Sequence, residues 1–168
     1  MRPFLPLCLL VSVALGLVSA GPPPGWAGLR EGLIAYKQGD FATALHAFLP
    51  LAEQGDREAQ FYLGTMYTKG WGVPPNPGEA ARWYQQAAHQ GVAEAQYNLG
   101  VLYTRGEGVP QDLVHAYLWL ALAALRFPRG ESQTTAVQTR DRVAAQLTPE
   151  QLSQAQALVR QWSSQPAP

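Results

Sequence analysis

The stretch TKGWGVPPNP, from Thr68 to Pro77, has a close copy in TRGEGVPQDL, from Thr104 to Leu113. A phosphate-binding loop needs a preceding strand and a G-x-x-x-x-G-K or G-x-G-x-x-G spacing, and G-x-G-V-P fits neither pattern. Gly70 is instead well placed to end a helix in a left-handed conformation, and the proline after Val73 stops that helix from continuing. Both loops are therefore predicted to be turns that join two helices, with Asn76 or Asp112 capping the second helix.

These loops belong to a repeat of 36 residues. Residues 55–90 match residues 91–126 at 16 of 36 positions, and a period in the thirties is typical of stacked helical units. Each unit predicts two helices, which in the first copy run from about Glu58 to Thr68 and from about Gly78 to Gln90. The sequence therefore predicts a helical repeat protein.

Glycines in the middle of the first helices carry a second prediction. Gly64 and its counterpart Gly100 each weaken a helix by roughly 1 kcal/mol relative to alanine. Such a glycine is explained if another helix crosses close to it, so a tight crossing is expected at both positions.

Further helices are predicted on both sides of the repeat. A helical pair from Trp26 to Tyr36 and from Asp40 to Gln54 precedes it. Helices from Gln133 to Gln146 and from Pro149 to Trp162 follow, and Thr148 begins a capping box. The polar residues Arg82, Gln86 and His89 of the second unit become Leu118, Leu122 and Leu125 in the third. Because an apolar face needs cover, the C-terminal helices are expected to pack on it.

The predicted fold class is all-α: a short α-solenoid of three helical hairpins plus a C-terminal capping helix pair. The expected organisation is a signal peptide (1–20), a Pro/Gly-rich lead-in (21–25), repeats (26–127), capping helices (128–162) and a disordered tail (163–168).

The N-terminus predicts export. Arg2 is followed by the apolar run from Phe4 to Val18 and by small residues before a predicted cleavage after Ala20. The run is too short for a comfortable membrane span, so no integral membrane segment is expected after cleavage. A retained anchor is the alternative. The expected location is periplasmic or secreted, and the mature chain would lack cysteine because Cys8 lies in the leader.

The pattern A-x-x-x-L-G-x-x-Y, then G-x-G-V-P, A-x-x-W and A-A, resembles the Sel1-like repeat family, relatives of the tetratricopeptide repeats. The resemblance covers about Ala27 to Ala124. It implies an α-solenoid that presents binding surfaces and has no chemistry of its own. The first hairpin departs from the pattern, because it lacks G-x-G-V-P and looks more like a tetratricopeptide hairpin.

Composition and motifs argue against several function classes. Lys and Arg number 12 and Asp and Glu number 12, so no basic surplus favours nucleic-acid binding. No serine lies between Ala20 and Ser132, and His46, His89 and His115 belong to no metal-binding motif. No enzyme, catalytic residue, metal site or cofactor is predicted, and a hydrolase is the least favoured of the functions considered.

By resemblance, the first helices line the concave face of the solenoid. The inward residues would be Glu58, Phe61, Thr65, Thr68 and Lys69, with the counterparts Glu94, Tyr97, Val101, Thr104 and Arg105. Phe61 and Tyr97 are aromatic residues away from the core stripe, a type enriched at binding hot spots. Lys69 and Arg105 could grip an acidic or extended peptide, or could only neutralise the end of their helix.

The turn does not require a tryptophan at position 71, because the counterpart of Trp71 in the next copy is Glu107. It is expected to be either exposed for a partner or folded back on the next hairpin.

The leading function is an exported, non-catalytic scaffold or adaptor that binds a protein or extended peptide. The alternative is a protein that binds cell-wall glycan or peptidoglycan, with Trp71, Tyr62 and Phe61 stacking on sugars.

Overall fold

The computed structural model describes the backbone of residues 24–164 and the side chains of residues 28–164. Within these bounds the chain forms eight α-helices and no strand. The helices are α1 (Pro24–Gln38), α2 (Phe41–Glu53), α3 (Arg57–Lys69), α4 (Pro77–His89), α5 (Ala93–Arg105), α6 (Leu113–Arg126), α7 (Glu131–Ala144) and α8 (Pro149–Ser163). The predicted all-α solenoid is confirmed: each helix from α1 to α6 packs on the next, and α8 packs on α6 rather than on α7.

Both ends of the described chain differ slightly from the prediction. Helix α1 begins at Pro24 rather than at Trp26, because a proline fits the first turn of a helix, where its missing N–H is not needed. Helix α8 continues to Ser163. The predicted signal peptide, residues 21–23 of the lead-in and residues 165–168 of the tail lie outside the described residues.

The predicted helix starts and stops are present. Asn76 Oδ1 accepts a hydrogen bond from the Glu79 N–H at 3.1 Å, and Thr148 forms the predicted capping box with Gln151. Gly70 ends α3 in the left-handed conformation, with φ of 71°. The ends of the helices thus follow from local sequence.

Within each hairpin, a glycine of the first helix receives a large side chain of the second. The pairs are Gly32 with Phe48, Gly64 with Tyr84 and Gly100 with Leu120. A Cβ added at Gly64 would lie 2.6 Å from the ring of Tyr84, so only glycine leaves room for the ring. The predicted tight crossing is therefore confirmed at Gly64 and Gly100, and it also occurs in the first hairpin.

Buried glutamines join neighbouring units. Gln60 Nε2 donates to the carbonyl oxygen of Ala52 at 3.0 Å, and Gln96 Nε2 donates to that of Ala88 at 3.0 Å. These carbonyls belong to the last turn of α2 and α4, where helix acceptors lack a partner within the helix. The recurring Glu-Ala-Gln sequence thus links each hairpin to the one before it.

The second glycine of each G-x-G loop also sets the spacing between units. A Cβ on Gly108, which has φ of +74°, would lie 2.1 Å from the carbonyl oxygen of Pro77. A Cβ on Gly72 would lie 2.7 Å from the carbonyl oxygen of Phe41. Phe41 and Pro77 are the first residues of α2 and α4. Each loop therefore touches the backbone of the preceding hairpin, which the local pattern did not predict.

The C-terminal helices both pack on α6. The expected cover is confirmed for Leu118 and Leu122, whose exposed fractions are 4% and 1%. It is wrong for Leu125, which is 67% exposed, because the apolar side chains of α8 pack on a cluster that extends along α6 only as far as Leu122.

Three rings hold α8 in place. The Trp162 ring lies 5.1 Å from the Trp119 ring and 5.1 Å from the His89 ring, edge to face in both cases. The His89 and Trp119 rings are 5.2 Å apart. Helix α8 therefore reaches past α6 to α4 and closes the apolar end of the repeat.

Candidate protein-binding surface

The first helices of the hairpins form the inner side of the solenoid. Helix α3 contacts α5, the first helix of the next hairpin. The second helices are farther apart, since α4 contacts neither α2 nor α6 as extensively as α3 contacts α5. The chain therefore curves toward α1, α3 and α5, and their exposed side is called the inner face below.

One stripe of α3 dominates the inner face. Glu58, Tyr62, Thr65 and Lys69 lie within about 60° of one another around the helix, at 100° per residue. Buried Leu63 lies on the other side of the helix. The matching stripe of α5 consists of Glu94, Asn98, Val101 and Arg105. Of the predicted inward positions, the two stripes contain Glu58, Thr65 and Lys69 with their counterparts, and Tyr62 and Asn98 take the remaining place.

Half-buried aromatic residues continue this surface toward α1. They form an aromatic strip that consists of Tyr36, Phe41, Phe61, Tyr62 and Trp71. Ring centroids lie 4.9 Å apart for Tyr36 and Tyr62, and 5.3 Å apart for Phe61 and Tyr62. The strip therefore crosses from the first hairpin to the second without interruption.

The two threonines predicted to face inward have a structural role. The Tyr84 ring passes through the gap that Gly64 leaves on α3 because it has no side chain; this gap, like those at Gly32 and Gly100, is called a notch below. The Tyr84 hydroxyl then donates to Thr65 Oγ1 at 3.2 Å. Thr68 Oγ1 lies 3.3 Å from the same hydroxyl and 2.8 Å from the Gly64 carbonyl oxygen. The threonine hydroxyls thus hold α4 against α3 from the inner side.

Replacing Tyr84 by phenylalanine is expected to lower the free energy of unfolding by about 1 kcal/mol at pH 7, because these hydrogen bonds are lost. Burial raises the pKa of the Tyr84 phenol, and its bonds to Thr65, Thr68 and Asn98 act in the opposite direction. The folded protein therefore holds this proton more firmly than the unfolded chain, in which a tyrosine has a pKa of about 10.

The stability contributed by the raised pKa is complete below pH ~10 and declines as the pH rises through the value of the folded state. Tyr84→Phe should make this alkaline decline shallower, measured as urea unfolding at a series of pH values. Tyr36, Tyr62 and Tyr103 also have raised pKa values and should account for the remaining decline. An unchanged alkaline decline in the variant would contradict the assignment to Tyr84.

The third unit is less open than the second. Tyr97 packs against two clusters of buried residues that include Ala136 and Val143 of α7. Tyr97 therefore differs from Phe61, its counterpart, because it packs against the capping helix α7, although both rings are half-buried. Arg105 is exposed and lies 3.8 Å from Glu107, a distance typical of a weak surface pair.

Trp71 folds back on the preceding hairpin, not on the next one. Its ring stacks on Phe41 at 4.8 Å with an interplanar angle of 10°, and it meets Tyr36 edge to face at 5.7 Å. The loop of the third unit instead touches Pro77 of the second unit, which takes the position of Phe41 and has no aromatic ring. The difference between Trp71 and Glu107 thus follows from the neighbour that each loop touches.

Two carboxylates face the aromatic strip. Glu58 and Glu94 are exposed at the same position of α3 and α5. Burial raises the pKa of the Tyr62 phenol, and the negative charges of both glutamates raise it further. The charge of both carboxylates therefore acts on the Tyr62 hydroxyl.

The sequence did not identify Tyr36 as part of this surface, and it assigned Tyr62 only to sugar stacking. The notch glycines show why Tyr36 was missed: Gly32 precedes Gly64 by 32 residues, whereas Gly64 precedes Gly100 by 36. The link in the first hairpin is shorter, so a comparison at a period of 36 misaligns α1. Alignment on the notch glycines would have placed Tyr36 beside Thr68.

Among residues 28–164, no group of three His, Cys, Asp or Glu side chains could hold a metal ion. In the same part of the chain, no helix combines the length and the hydropathy that crossing a bilayer requires.

Comparison with known proteins agrees with this architecture. The family profile of the Sel1 repeat matches residues 57–92 and 93–126. A protective antigen of uropathogenic Escherichia coli strains that displays an SLR fold is similar, with a TM-score of 0.76 and 31% identity. The alignment covers 86% of this chain and 31% of that antigen.

A Sel1 repeat protein from Oxalobacter formigenes is also similar, with a TM-score of 0.61 and 27% identity over 79% of this chain and 55% of that protein. This chain thus spans less than two thirds of either structure. No curated protein matches the sequence.

The matched segments span helices α3 to α6, and they contain Gly64 and Gly100, both G-x-G turns and the two buried glutamines. Sel1 repeats are generally scaffolds for protein–protein interaction and are generally non-catalytic. Residues 57–126 of this chain thus match two consecutive Sel1 repeats, within a helical solenoid that is similar to solved structures of proteins with this repeat.

Proposed function

We propose that this chain is an exported, non-catalytic scaffold that binds another protein through its inner face. The observation that carries the proposal is the aromatic strip, in which five half-buried rings lie together in one continuous surface beside exposed charged residues. Aromatic residues at partly exposed positions are enriched in protein interfaces. The general role of Sel1 repeats supports the same conclusion.

A protein partner fits the strip better than a glycan does. Sugars stack on the free face of an aromatic ring, and two of the three rings proposed for this role already have one face stacked on another ring. Trp71 lies flat on Phe41, and Tyr62 lies flat on the buried Phe48 at 5.2 Å with an angle of 14°. Fewer open ring faces therefore remain for sugars, whereas the exposed charges of Glu58 and Lys69 beside the strip suit contact with a polypeptide.

Export rests on the leader sequence alone. The apolar run from Phe4 to Val18 and the small residues before Ala20 support cleavage after Ala20. The partner is then a periplasmic or secreted protein.

Capture of partners from the exported fraction tests the proposal. The wild-type chain should recover a defined protein, and Phe61→Ala should reduce recovery about tenfold, the loss expected when a hot-spot side chain is truncated. Phe61 also contacts Tyr62 and Tyr84, so circular dichroism must show that the variant remains folded at the temperature of capture.

Gln85→Ala is the matched control, because Gln85 is exposed on α4 away from the inner face. It should recover as much partner as the wild type. Equal recovery by wild type, Phe61→Ala and Gln85→Ala would contradict binding through the inner face. Pelleting with purified cell wall, in the absence of a recovered protein, would favour the glycan alternative instead.

A further inference from the structure

The inner face carries two rows of opposite charge. Glu58 and Glu94 begin the stripes of α3 and α5, and Lys69 and Arg105 end them. The acidic and the basic residue are eleven positions apart along each helix, which corresponds to about 16 Å at 1.5 Å per residue. Because α3 and α5 contact each other, each row presents two like charges side by side.

The charges of these rows are available to a partner. Within residues 28–164, no salt bridge involves Glu58, Glu94 or Lys69. Arg105 has only the exposed contact with Glu107 at 3.8 Å. The helix dipole favours acidic residues in the first turn and basic residues in the last, but all four side chains stay exposed, and Glu58, Glu94 and Lys69 are in none of these salt bridges.

The surface between the rows is uncharged. Tyr62 and Thr65 occupy it on α3, and Asn98 and Val101 occupy it on α5; all four are half-buried. The inner face therefore has an acidic edge, an uncharged middle with the Tyr62 ring, and a basic edge.

We infer that this face binds an extended polypeptide segment with a basic and an acidic residue about five positions apart. The distance sets this spacing, since an extended chain covers about 3.3 Å per residue and the two rows are about 16 Å apart. The basic side chain pairs with Glu58 and Glu94, and the acidic side chain pairs with Lys69 and Arg105. The inference rests on the proposed function and specifies its partner.

Two labelled, end-blocked peptides of identical composition test the spacing. In the first, Gly-Lys-Ala-Thr-Val-Thr-Glu-Gly, the charges are five positions apart. In the second, Gly-Ala-Thr-Lys-Glu-Val-Thr-Gly, they are adjacent. With the first peptide, the amide signals of residues in α3 and α5 should change their chemical shifts in ¹⁵N-resolved NMR spectra. The affinity for the first peptide should exceed that for the second about fivefold, which is the upper range for an exposed ion pair.

Charge-neutral variants test the two rows separately. Glu58→Gln with Glu94→Gln, and Lys69→Gln with Arg105→Gln, should each weaken the first peptide about fivefold and leave the second little changed. Glu53→Gln is the matched control, because Glu53 is exposed on α2 rather than on the inner face. It should bind both peptides as the wild type does.

Equal affinity for the two peptides, shifts outside α3 and α5, or no shifts at millimolar peptide would overturn the inference. The same variants in the capture experiment separate it from the proposed function. Loss of partner with Phe61→Ala but not with either charge-neutral pair would leave the scaffold function intact and refute the charge spacing. Recovery of no partner by the wild type would contradict the scaffold function itself.

Discussion

Replacing Gly108 with alanine should lower the free energy of unfolding by about 3 kcal/mol. The residue has φ of +74°, and a left-handed conformation costs a residue with a side chain about 1 kcal/mol or more. The added Cβ would also lie 2.1 Å from the carbonyl oxygen of Pro77. Because this contact is with backbone, the loop must move away from the preceding hairpin, and such overpacking costs a further 1–3 kcal/mol, roughly. Urea unfolding of the purified protein measures the loss.

Gly39→Ala separates the two causes. Gly39 has φ of +78°, and an added Cβ would meet nothing within 4 Å. This variant should lose only the conformational part, about 1 kcal/mol. Gly72→Ala, where the added Cβ lies 2.7 Å from the Phe41 carbonyl oxygen, should fall between the two. Equal losses for Gly39→Ala and Gly108→Ala would show that the contact between units adds nothing.

Replacing Trp162 with alanine is the second large effect, with an expected loss of about 3 kcal/mol. This is the lower part of the range for removal of a tryptophan from a core, because the residue is half-buried. The substitution removes both ring contacts that hold α8 against Trp119 and His89. Leu118 and Leu122 then lose their cover, so the variant should also self-associate at high concentration. Thermal unfolding and size-exclusion chromatography provide the two measurements.

Gln154→Ala is the control on the same helix, because Gln154 is an exposed residue of α8. A surface substitution of this kind should change stability by no more than about 0.5 kcal/mol. If Trp162→Ala behaved in the same way and remained monomeric, α8 would not be the element that closes the repeat.

The helices and their limits could be predicted because their causes are local. Asn76 caps α4 and Gly70 ends α3 through bonds to residues a few positions away. The repeat also made it possible to predict a tertiary contact at Gly64, because a glycine that recurs inside a helix is explained by another helix that crosses close to it. The exposed Leu125 could not be predicted, because it depends on how far α8 extends along α6.

The candidate site was predicted only in part. The resemblance to tetratricopeptide repeats placed Glu58, Thr65 and Lys69 on the inner face, and helical spacing puts the three on one stripe of α3. The packing of α7 against Tyr97 was not foreseeable, because α7 lies about 40 residues farther along the chain. Likewise, the role of the Thr65 hydroxyl depends on Tyr84 passing a notch in another helix.

The sequence by itself determined that this protein is a stack of helical hairpins, because periodicity, caps and left-handed glycines act within a few residues of one another. It also determined which helix faces carry charge. Only the tertiary structure decided how closely the hairpins stack, where Trp71 lies, and which inward side chains remain open. Those outcomes depend on contacts between residues distant in the chain, such as Gly108 with Pro77 and Trp162 with His89, and local sequence does not encode such distances.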